Sequence, residues 1–539
     1  MASRNCKLVI SLPDRAVLRS GSLRIVASIA RWPSVSPGLR STQTQAIKDL
    51  VMRKILFSGL CALSLLLTAC GGGGSSGASQ TTSGSPNGGL PPPAAVKLSL
   101  AAQVGQQLFF DKNLSGGKNM ACATCHNPQF AYGPPNSLSV QLGSDPSQAG
   151  QRAVPSLRYK SMTPPYNDVA DNPDGITQNA PGGGFMWDGR AATLASQPAL
   201  PLLNPIEMNN ASAAVVVQSV QTASYAALFQ QAFGANVFSD ANATFNDIGT
   251  ALQAYQVEDP SFAPYSSKFD LFAGNKLGGA LTPAEMRGLQ LFNDTSAGAG
   301  CVACHYAGAN FNGSVGLMTD FTYQSLGVPR NDTQIPGNPN PIPANADASF
   351  VDMGLCGPLA TIHPPGTANS GAGPDAITGQ NVPDPYCGRF KVPTLRNVAT
   401  RSAFFHNGIF HSLTQVLNFY NTRDTNPEYW YPSTGGDPTH VVQNPEYALY
   451  PTAASGATAQ SFNDLPAQFQ GNVDEELPMG QGQTDAGGTT AADGAQPRAI
   501  HSAPQMTQQN ISDLICFMNT LTDGYQVPAT PPTSGACVN

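Results

Sequence analysis

Two pentapeptides decide how this chain folds: Cys122-Ala-Thr-Cys125-His126 and Cys301-Val-Ala-Cys304-His305. In each, two thiols can bond to the vinyl groups of a haem, and the histidine that follows lies under the ring as the proximal iron ligand. A zinc site or a redox dithiol is the other interpretation of Cys-x-x-Cys, but neither requires a histidine directly after the second cysteine. The pentapeptides therefore predict two covalently bound haem c groups.

The same short pattern precedes both pentapeptides. Gly105-Gln-Gln-Leu-Phe-Phe-Asp111 lies before the first, and Gly288-Leu-Gln-Leu-Phe-Asn-Asp294 lies before the second. Each copy is typical of the end of a helix that leads through a glycine-rich loop to the cysteines. Thr282-Pro-Ala-Glu285 combines an N-cap, a proline at the first helical position and a glutamate at the third, so it predicts a helix start. The repetition indicates a duplicated domain.

A closing helix is predicted in each half by apolar residues at helical spacing. These are Phe245, Ile248, Leu252 and Tyr255 in the first half, and Ile511, Leu514, Ile515, Met518 and Leu521 in the second. We therefore expect a mainly α protein with two tandem cytochrome c-like haem domains, the first at 97–272 and the second at 280–526. The second domain should carry long irregular loops at 328–389 and 431–505, which are rich in Pro, Gly and Asn.

The composition excludes one class of partner. The 539 residues carry a formal charge of −7 with only 11 % charged residues and no long basic run, so we expect no binding to nucleic acid. This length allows two domains, each with its own core. Since the chain contains 54 Gly and 46 Pro, it should consist of ordered loops around a moderate amount of helix, with little strand.

A secretory signal begins well inside the chain. Met52-Arg-Lys54 is basic, residues 55–67 are largely apolar, and Leu67-Thr-Ala-Cys70 resembles the bacterial lipobox. The apolar stretch is short for a membrane span. A buried core helix is the alternative, but such a helix would rarely run directly into four glycines. We therefore predict a signal peptide at 52–69, a lipid anchor on Cys70, and a periplasmic protein held at a bacterial membrane.

The segments on either side of this signal are not expected to fold. Residues 1–51 have no evident role if translation starts at Met52, and would then be a non-native upstream extension. Residues 70–96 are rich in Gly, Ser and Pro, a composition typical of a flexible tether. This tether would separate a soluble catalytic body from the membrane surface.

Cysteine usage agrees with export to an oxidising compartment. Of the 11 cysteines, Cys6 and Cys61 fall in the removed region, Cys70 would carry lipid and four would hold haem. The remaining four are Cys356, Cys387, Cys516 and Cys537. They allow two disulfides in three connectivities, of which proximity in sequence favours 356 with 387 and 516 with 537. Buried free thiols are the alternative.

Further motifs in both halves resemble those of a known family. They are Phe185-Met-Trp-Asp-Gly-Arg190, Gln197, Pro201, Asn204-Pro-Ile-Glu-Met208, Phe390-Lys-Val-Pro-Thr-Leu-Arg-Asn-Val398 and Phe404-Phe-His-Asn-Gly408. Together they resemble the motif set of the bacterial dihaem cytochrome c peroxidases and of MauG, the haem enzyme of methylamine utilisation. The match runs from about 97 to 430 and includes the terminal helix. It implies that the N-terminal haem binds hydrogen peroxide and that the C-terminal haem exchanges electrons.

The resemblance also implies roles for individual side chains. Glu207 would be the distal acid–base residue, and Gln197 and Pro201 would line the distal pocket. Trp187 would lie between the haems, and Arg396 near a haem edge. Chemistry supports Glu207 separately, because cleavage of a peroxide O–O bond requires a proton to move from one oxygen to the other, and a carboxyl group can accept and return it. Without the motif set, Glu207 would be assigned to the surface or a helix cap and Trp187 to the core.

One departure from the family concerns the N-terminal iron. Many members close the resting iron with a second histidine, but no histidine lies between His126 and His305 here, and the corresponding position falls near Asp145. A distant residue such as His363 or His440 would be needed instead. We therefore expect a permanently open N-terminal haem that reacts with peroxide without prior reduction, which resembles MauG.

A second departure concerns the C-terminal iron. Fourteen residues after the histidine of Phe-His-Asn-Gly, many members carry an axial methionine, whereas this chain has Tyr420, as MauG does. A thioether favours ferrous iron, and a phenolate favours ferric and higher states. We therefore expect His305 and Tyr420 as ligands, with weaker electron uptake and storage of oxidising equivalents on both irons. In the alternative, Tyr420 is a packed aromatic, and His406 or a methionine is the ligand.

A calcium ion between the domains is a further expectation from the family. One position that supplies an asparagine in relatives is Ala153 here. Backbone carbonyls near Arg401 and Ala403 could still contribute ligands.

Three functions remain open at this point. A peroxidase would reduce hydrogen peroxide with electrons from a small cytochrome c or a cupredoxin, and Glu207 favours it. A MauG-like enzyme would oxidise a protein substrate at long range, and Tyr420 and Trp187 favour it. A non-catalytic dihaem electron-transfer protein would need neither an open iron nor a distal acid.

Overall fold

In the part of the chain that the computed structural model describes, more residues lie in helices than in strands. The structure describes residues 96–171, 178–295, 298–308, 316–359, 362–366, 372–374, 381–474, 479, 498–530 and 532–538. The upstream extension, the signal peptide, Cys70 and the tether up to residue 95 lie outside these ranges and stay predictions. None of the helices inside the ranges is long and apolar enough to cross a membrane.

The described helices run in the following order. They are α1 Leu100–Phe110, α2 Cys122–Cys125, α3 Ala199–Leu203, α4 Ala213–Gln221, α5 Ala226–Phe233, α6 Ala241–Glu258, α7 Lys268–Ala273, α8 Pro283–Asn293, α9 Leu413–Thr422 and α10 Gln508–Asn519. The first pentapeptide forms α2, and the second begins with a 3₁₀ turn, Cys301–Ala303. The expectation of a mainly α protein is confirmed for the described residues.

The described strands are short and form two-stranded antiparallel ribbons. They are β1 Asn167–Asp171, β2 Gln178–Gly182, β3 Tyr323–Gln324, β4 Ala372–Pro374, β5 Asn381–Pro383, β6 Phe390–Lys391, β7 Ser433–Thr434, β8 Asp437–Gln443, β9 Thr452–Ser455 and β10 Thr458–Ala459. The pairs are β1–β2, β3–β6, β4–β5, β7–β10 and β8–β9.

Residues 431–505 were expected to be irregular loops, but part of this stretch forms ribbons. The described part of that stretch contains the β8–β9 hairpin, with Val442 paired to Ala453. A run of threonine and valine in β8 favours extended backbone, but its seven residues are all exposed. The sequence analysis did not predict this hairpin. Strands are recognised by alternating apolar and polar residues, and a strand without a buried face gives no such alternation.

The repeated glycine marks a helix crossing in each half. A β-carbon at Gly105 on α1 would lie 2.0 Å from the carbonyl oxygen of Ala251 on α6. A β-carbon at Gly288 on α8 would lie 2.0 Å from the carbonyl oxygen of Asp513 on α10. Since no side chain fits at that distance, only glycine allows these helices to approach so closely. The duplicated pattern therefore specifies the same crossing twice.

Each crossing belongs to its own hydrophobic core. In the first half, Leu108 of α1 packs in one cluster with Ile248 and Leu252 of α6. In the second half, Phe292 of α8 packs in another cluster with Leu514 of α10. The helix predicted from Thr282 begins there with a complete capping box. Both closing helices are confirmed, although α10 ends before Leu521.

Two disulfides tie down the second half. Cys356 is bonded to Cys387, and Cys516 on α10 is bonded to Cys537. This is the connectivity that proximity in sequence favoured. The four cysteines of the pentapeptides form no disulfide.

Candidate functional site

Each pentapeptide lines a cavity of its own. The two thiols and the histidine of the first line one cavity, and those of the second line another; the empty space in them, including the part open to solvent, is about 1670 Å³ and about 1730 Å³. We call these the N-cavity and the C-cavity. Their similar size and their identical set of thiols and imidazole agree with two equivalent prosthetic groups.

The two histidines are held in the same way. His126 Nδ1 lies 3.1 Å from the carbonyl oxygen of Tyr132, and His305 Nδ1 lies 3.0 Å from that of Met318. Because a carbonyl only accepts, each Nδ1 carries the proton and each Nε2 keeps its lone pair. Burial lowers the pKa of both histidines to about 4, so both rings are neutral at pH 7. A neutral ring with a free Nε2 is the form that binds haem iron, and the residues present fit that group.

The N-cavity brings together all the residues predicted to be catalytic: Glu207, Gln197, Pro201 and Trp187. Pro201 lies on α3, and the residue that ends this helix, Asn204, donates from Nδ2 to Glu207 Oε1 at 2.7 Å. Burial raises the pKa of Glu207, while the Asn204 hydrogen bond and the nearby Arg190 act in the opposite direction. This carboxyl group therefore keeps its proton to a higher pH than an exposed glutamate does.

Among the described residues, His126 is the only histidine that lines the N-cavity. His363 is buried elsewhere, with Nε2 2.7 Å from Asp168 Oδ1. His440 is exposed on β8. Asp145, where relatives carry the second histidine, is exposed and bonds within its own loop. The geometry agrees with the expectation that no second histidine reaches this cavity.

The side chains predicted as alternatives for the second iron ligand line the C-cavity with His305: Tyr420, His406 and a methionine, Met518. Tyr420 lies on α9. Burial is the main cause that raises the pKa of Tyr420. His406 Nε2 is buried without a hydrogen bond, and its nearest carboxylate, Asp464, is 3.9 Å away. All three candidates line the cavity, so ligation by Tyr420 stays a prediction.

The two cavities share a wall. Trp187, Lys160 and Lys391 line both of them. Trp187 Nε1 donates to the carbonyl oxygen of Ala153 at 2.8 Å, which fixes the indole in that wall. The sequence interpretation set Trp187 between the haems, and the indole lies between the two cavities.

Arg396 lines the C-cavity, but its charge is already neutralised. Its Nη2 donates to Asp270 Oδ1 at 2.7 Å. The rings of Tyr159 and Tyr265 lie 4.9 Å and 4.8 Å from its guanidinium carbon. Arg396 therefore holds the cavity wall in place, and its role toward a haem stays a prediction.

The sequence interpretation missed a buried ionic chain between the cavities. Arg152 binds Asp188 at 2.7 Å and Asp352 at 2.6 Å, and Asp188 also binds Arg190 at 2.7 Å. The two arginines line the N-cavity, and Asp352 lines the C-cavity. Asp188 and Arg190 stand in a motif that the sequence already singled out. The pair of Arg152 and Asp352 is 200 residues apart, and no local pattern signals it.

Comparisons with known proteins agree with this geometry. The sequence model of one family, described as di-haem cytochrome c peroxidase, matches residues 99–277. The methylamine utilization protein MauG of Paracoccus denitrificans is 32 % identical over 327 residues, which are 59 % of this chain and 74 % of that protein. A cytochrome c551 peroxidase of Nitrosomonas europaea is 28 % identical over 331 residues, 61 % of this chain and 75 % of that protein. The crystal structure of the diheme peroxidase BthA from Burkholderia thailandensis is similar with a TM-score of 0.61 and 31 % identity, and the match covers 82 % of this chain and 90 % of that one.

Proposed function

Because this chain belongs to the family of dihaem cytochrome c peroxidases and MauG proteins, we propose that it reduces hydrogen peroxide in the N-cavity with electrons that pass through the C-cavity. Two tandem cytochrome c-like domains, at 97–272 and 280–526, would each hold one haem c through two thioether bonds. When bound, the haems supply redox-active iron, with a coordination position available to peroxide in the N-cavity. The repeated helix crossing and the repeated histidine hydrogen bond support this arrangement.

The proposal depends chiefly on Glu207, a half-buried residue whose carboxyl group lines the cavity of His126, and no second histidine of the described residues lines that cavity. Its carboxylate would accept a proton from one peroxide oxygen and return it to the other as the O–O bond breaks. Two electrons and two further protons then complete the reduction to two waters. The Asn204 hydrogen bond holds one carboxyl oxygen, so the other is free to exchange protons.

Tyr420 and His305, which line the same cavity, would both hold the iron of a haem in the C-cavity. Burial opposes the phenolate form, so ligation requires a positive charge that compensates for the lost hydration. Ferric iron carries that charge. Tyr420 would thus favour the oxidised state of the C-terminal centre, while Trp187 in the shared wall would connect the two centres.

A MauG-like oxidation of a protein substrate is the second candidate, and Tyr420 together with Trp187 favours it. A small cytochrome c or a cupredoxin would be the donor in the first case, and an oxidisable protein the partner in the second. Electron transfer without catalysis would give no reason to bury Glu207 in the N-cavity. In each case we propose a periplasmic protein anchored by lipid at Cys70.

The test is stopped-flow spectroscopy of the fully oxidised enzyme mixed with hydrogen peroxide. We expect reaction without prior reduction, followed by steady-state turnover with a reduced cytochrome or cupredoxin. Two six-coordinate low-spin haems that do not react until one electron is added would contradict the proposal. Trapping of an oxidised partner protein, with little turnover of small donors, would favour the MauG-like function.

A further inference from the structure

Three cations line the cavities without a carboxylate partner: Lys160, Lys391 and Arg401. Lys160 and Lys391 lie in the shared wall, and Arg401 lines the C-cavity. Within the described ranges, no carboxylate lies within 4.0 Å of any of them. By contrast, the neighbouring Arg152 and Arg396 are both paired with aspartates. We call these three residues the cation cluster.

The members of the cation cluster act on one another. Burial lowers the pKa of Lys160 to about 8, and the charge of Arg401 contributes to that shift. Burial and then the charge of Lys160 lower the pKa of Lys391, while the charge of Asp188, which lies beyond 4.0 Å, acts in the opposite direction. Lys160 and Arg401 also help to lower the pKa of His126. The cluster is therefore a region of mutual repulsion close to the iron-binding histidine of the N-cavity.

Carbonyl groups are the hydrogen-bond acceptors that the chain offers this cluster. Lys391, 8 % exposed, donates from Nζ to the carbonyl oxygen of Gly184. Arg401 donates from Nε to that of Ala403 at 3.2 Å. Carbonyls satisfy N–H groups but carry no net charge. Lys391 is buried, and Lys160 and Arg401 are half-buried. Cations removed from water without a counter-ion are costly, so this arrangement calls for anions supplied by the bound groups.

The expected calcium site does not fit the same region. Calcium takes about six to eight oxygen ligands. Ala153 has no side-chain oxygen, and its carbonyl already accepts from Trp187 Nε1. The carbonyl of Ala403 accepts from Arg401, whose guanidinium would also repel a divalent cation. The described residues contain no cluster of three His, Cys, Asp or Glu side chains that could hold a metal ion.

We infer that Lys160, Lys391 and Arg401 replace a divalent cation between the cavities and bind the propionate carboxylates of both haems. This inference rests on the proposed function, because it needs two haems in place. Each haem carries two propionates, so up to four carboxylates are available to three fixed cations. A positive charge beside the propionates also favours reduced iron. The cation cluster would therefore raise the reduction potentials of both haems without a metal ion that can dissociate.

The first experiment measures the metal directly. The haem-loaded protein is passed through metal-free buffer with a calcium chelator, and its calcium content, its unfolding temperature and both haem midpoint potentials are recorded. We expect no retained calcium, and no change in the potentials or the unfolding temperature when calcium is added back. One calcium per chain, with potentials that shift on chelation, would overturn the inference.

The second experiment removes charge from the cluster. Lys391→Met and Arg401→Met should lower the midpoint potential of at least one haem by about 59 mV, equal to a tenfold change in the one-electron equilibrium. Arg401→Lys should retain most of the wild-type value because the charge remains. Lys112→Met is the matched control, since Lys112 is exposed and lines neither cavity. Midpoints in Lys391→Met and Arg401→Met that equal the control would contradict the inference.

The outcomes separate this inference from the proposed function. A chain that attaches fewer than two haems would contradict both. A dihaem enzyme that reduces peroxide but retains calcium would contradict the inference alone. If the methionine variants fail to load haem, as a haem assay would show, then Arg401→Lys and the calcium content of the wild type decide the question.

Discussion

The N-cavity and the C-cavity are alike where they hold a prosthetic group and different where they would meet a reactant. Both have a neutral histidine held through Nδ1 by a backbone carbonyl. Each half also contains a helix crossing that only glycine permits. Yet the carboxyl group of Glu207 lines the first cavity, while Tyr420 and His406 line the second. The two halves thus share the residues that would hold a cofactor and differ in the side chains that would meet a reactant.

The largest effect should come from the residue that makes the N-cavity different. Glu207→Gln keeps the size of the side chain and removes proton exchange, so peroxide activation should slow by about 10²- to 10⁴-fold. Both haems should remain attached. Stopped-flow mixing with peroxide measures the rate, and Glu446→Gln is the matched control, since Glu446 is exposed and lines neither cavity. Activation at the wild-type rate would show that Glu207 is only structural.

The next largest effect should test what the two halves share. Gly105→Ala and Gly288→Ala each force a methyl group against a carbonyl oxygen and should destabilise the protein by about 1–3 kcal/mol. Gly471→Ala is the matched control, because a β-carbon at Gly471 would meet no other atom within 4 Å. Thermal unfolding measures the three variants. If only one of the first two is destabilised, the crossings are not equivalent.

Several features of the fold could be predicted from the sequence because their signals are local. The pentapeptides, the repeated glycine pattern and the capping box at Thr282 each lie within a short stretch, and the two disulfides join cysteines that are near neighbours in sequence. Glu207 and Tyr420 were predicted as site residues only through the order of family motifs. No local signal would have selected either of them.

The shared wall could not be predicted in the same way. Arg152 binds Asp352 across 200 residues, and Arg396 binds Asp270 across 126. Such pairs depend on how the two halves meet, which periodicity and composition do not report. For the same reason, Arg396 was expected near a haem edge without its aspartate partner, and the unpaired cations Lys160 and Arg401 were not identified.

A smaller effect should distinguish the C-cavity ligands. Tyr420→Met should raise the midpoint potential of the C-terminal haem by at least about 59 mV, a tenfold change in equilibrium, because a thioether favours ferrous iron. Turnover with a reduced cytochrome should be maintained or improved. The state in which both irons store oxidising equivalents should have a shorter lifetime. Potentiometry and electron paramagnetic resonance measure these changes. If Tyr420→Phe leaves the low-spin signal and the potential unchanged, His406 is the next ligand to test.

The smallest effect concerns how the N-cavity tunes its own acid. Burial raises the pKa of Glu207 above its ordinary value, so below that pKa the carboxyl is protonated and cannot accept a proton from peroxide. The activation rate should therefore fall as the pH falls through this pKa, and Glu207→Gln should lack that decrease. Asn204 opposes the shift, because its hydrogen bond to Oε1 favours the charged form. Asn204→Ala removes a hydrogen bond worth about 0.5–1.5 kcal/mol and should raise the pKa of Glu207 further. The decrease in rate should therefore move to higher pH, whereas a profile unchanged from the wild type would mean that another group sets the pH dependence.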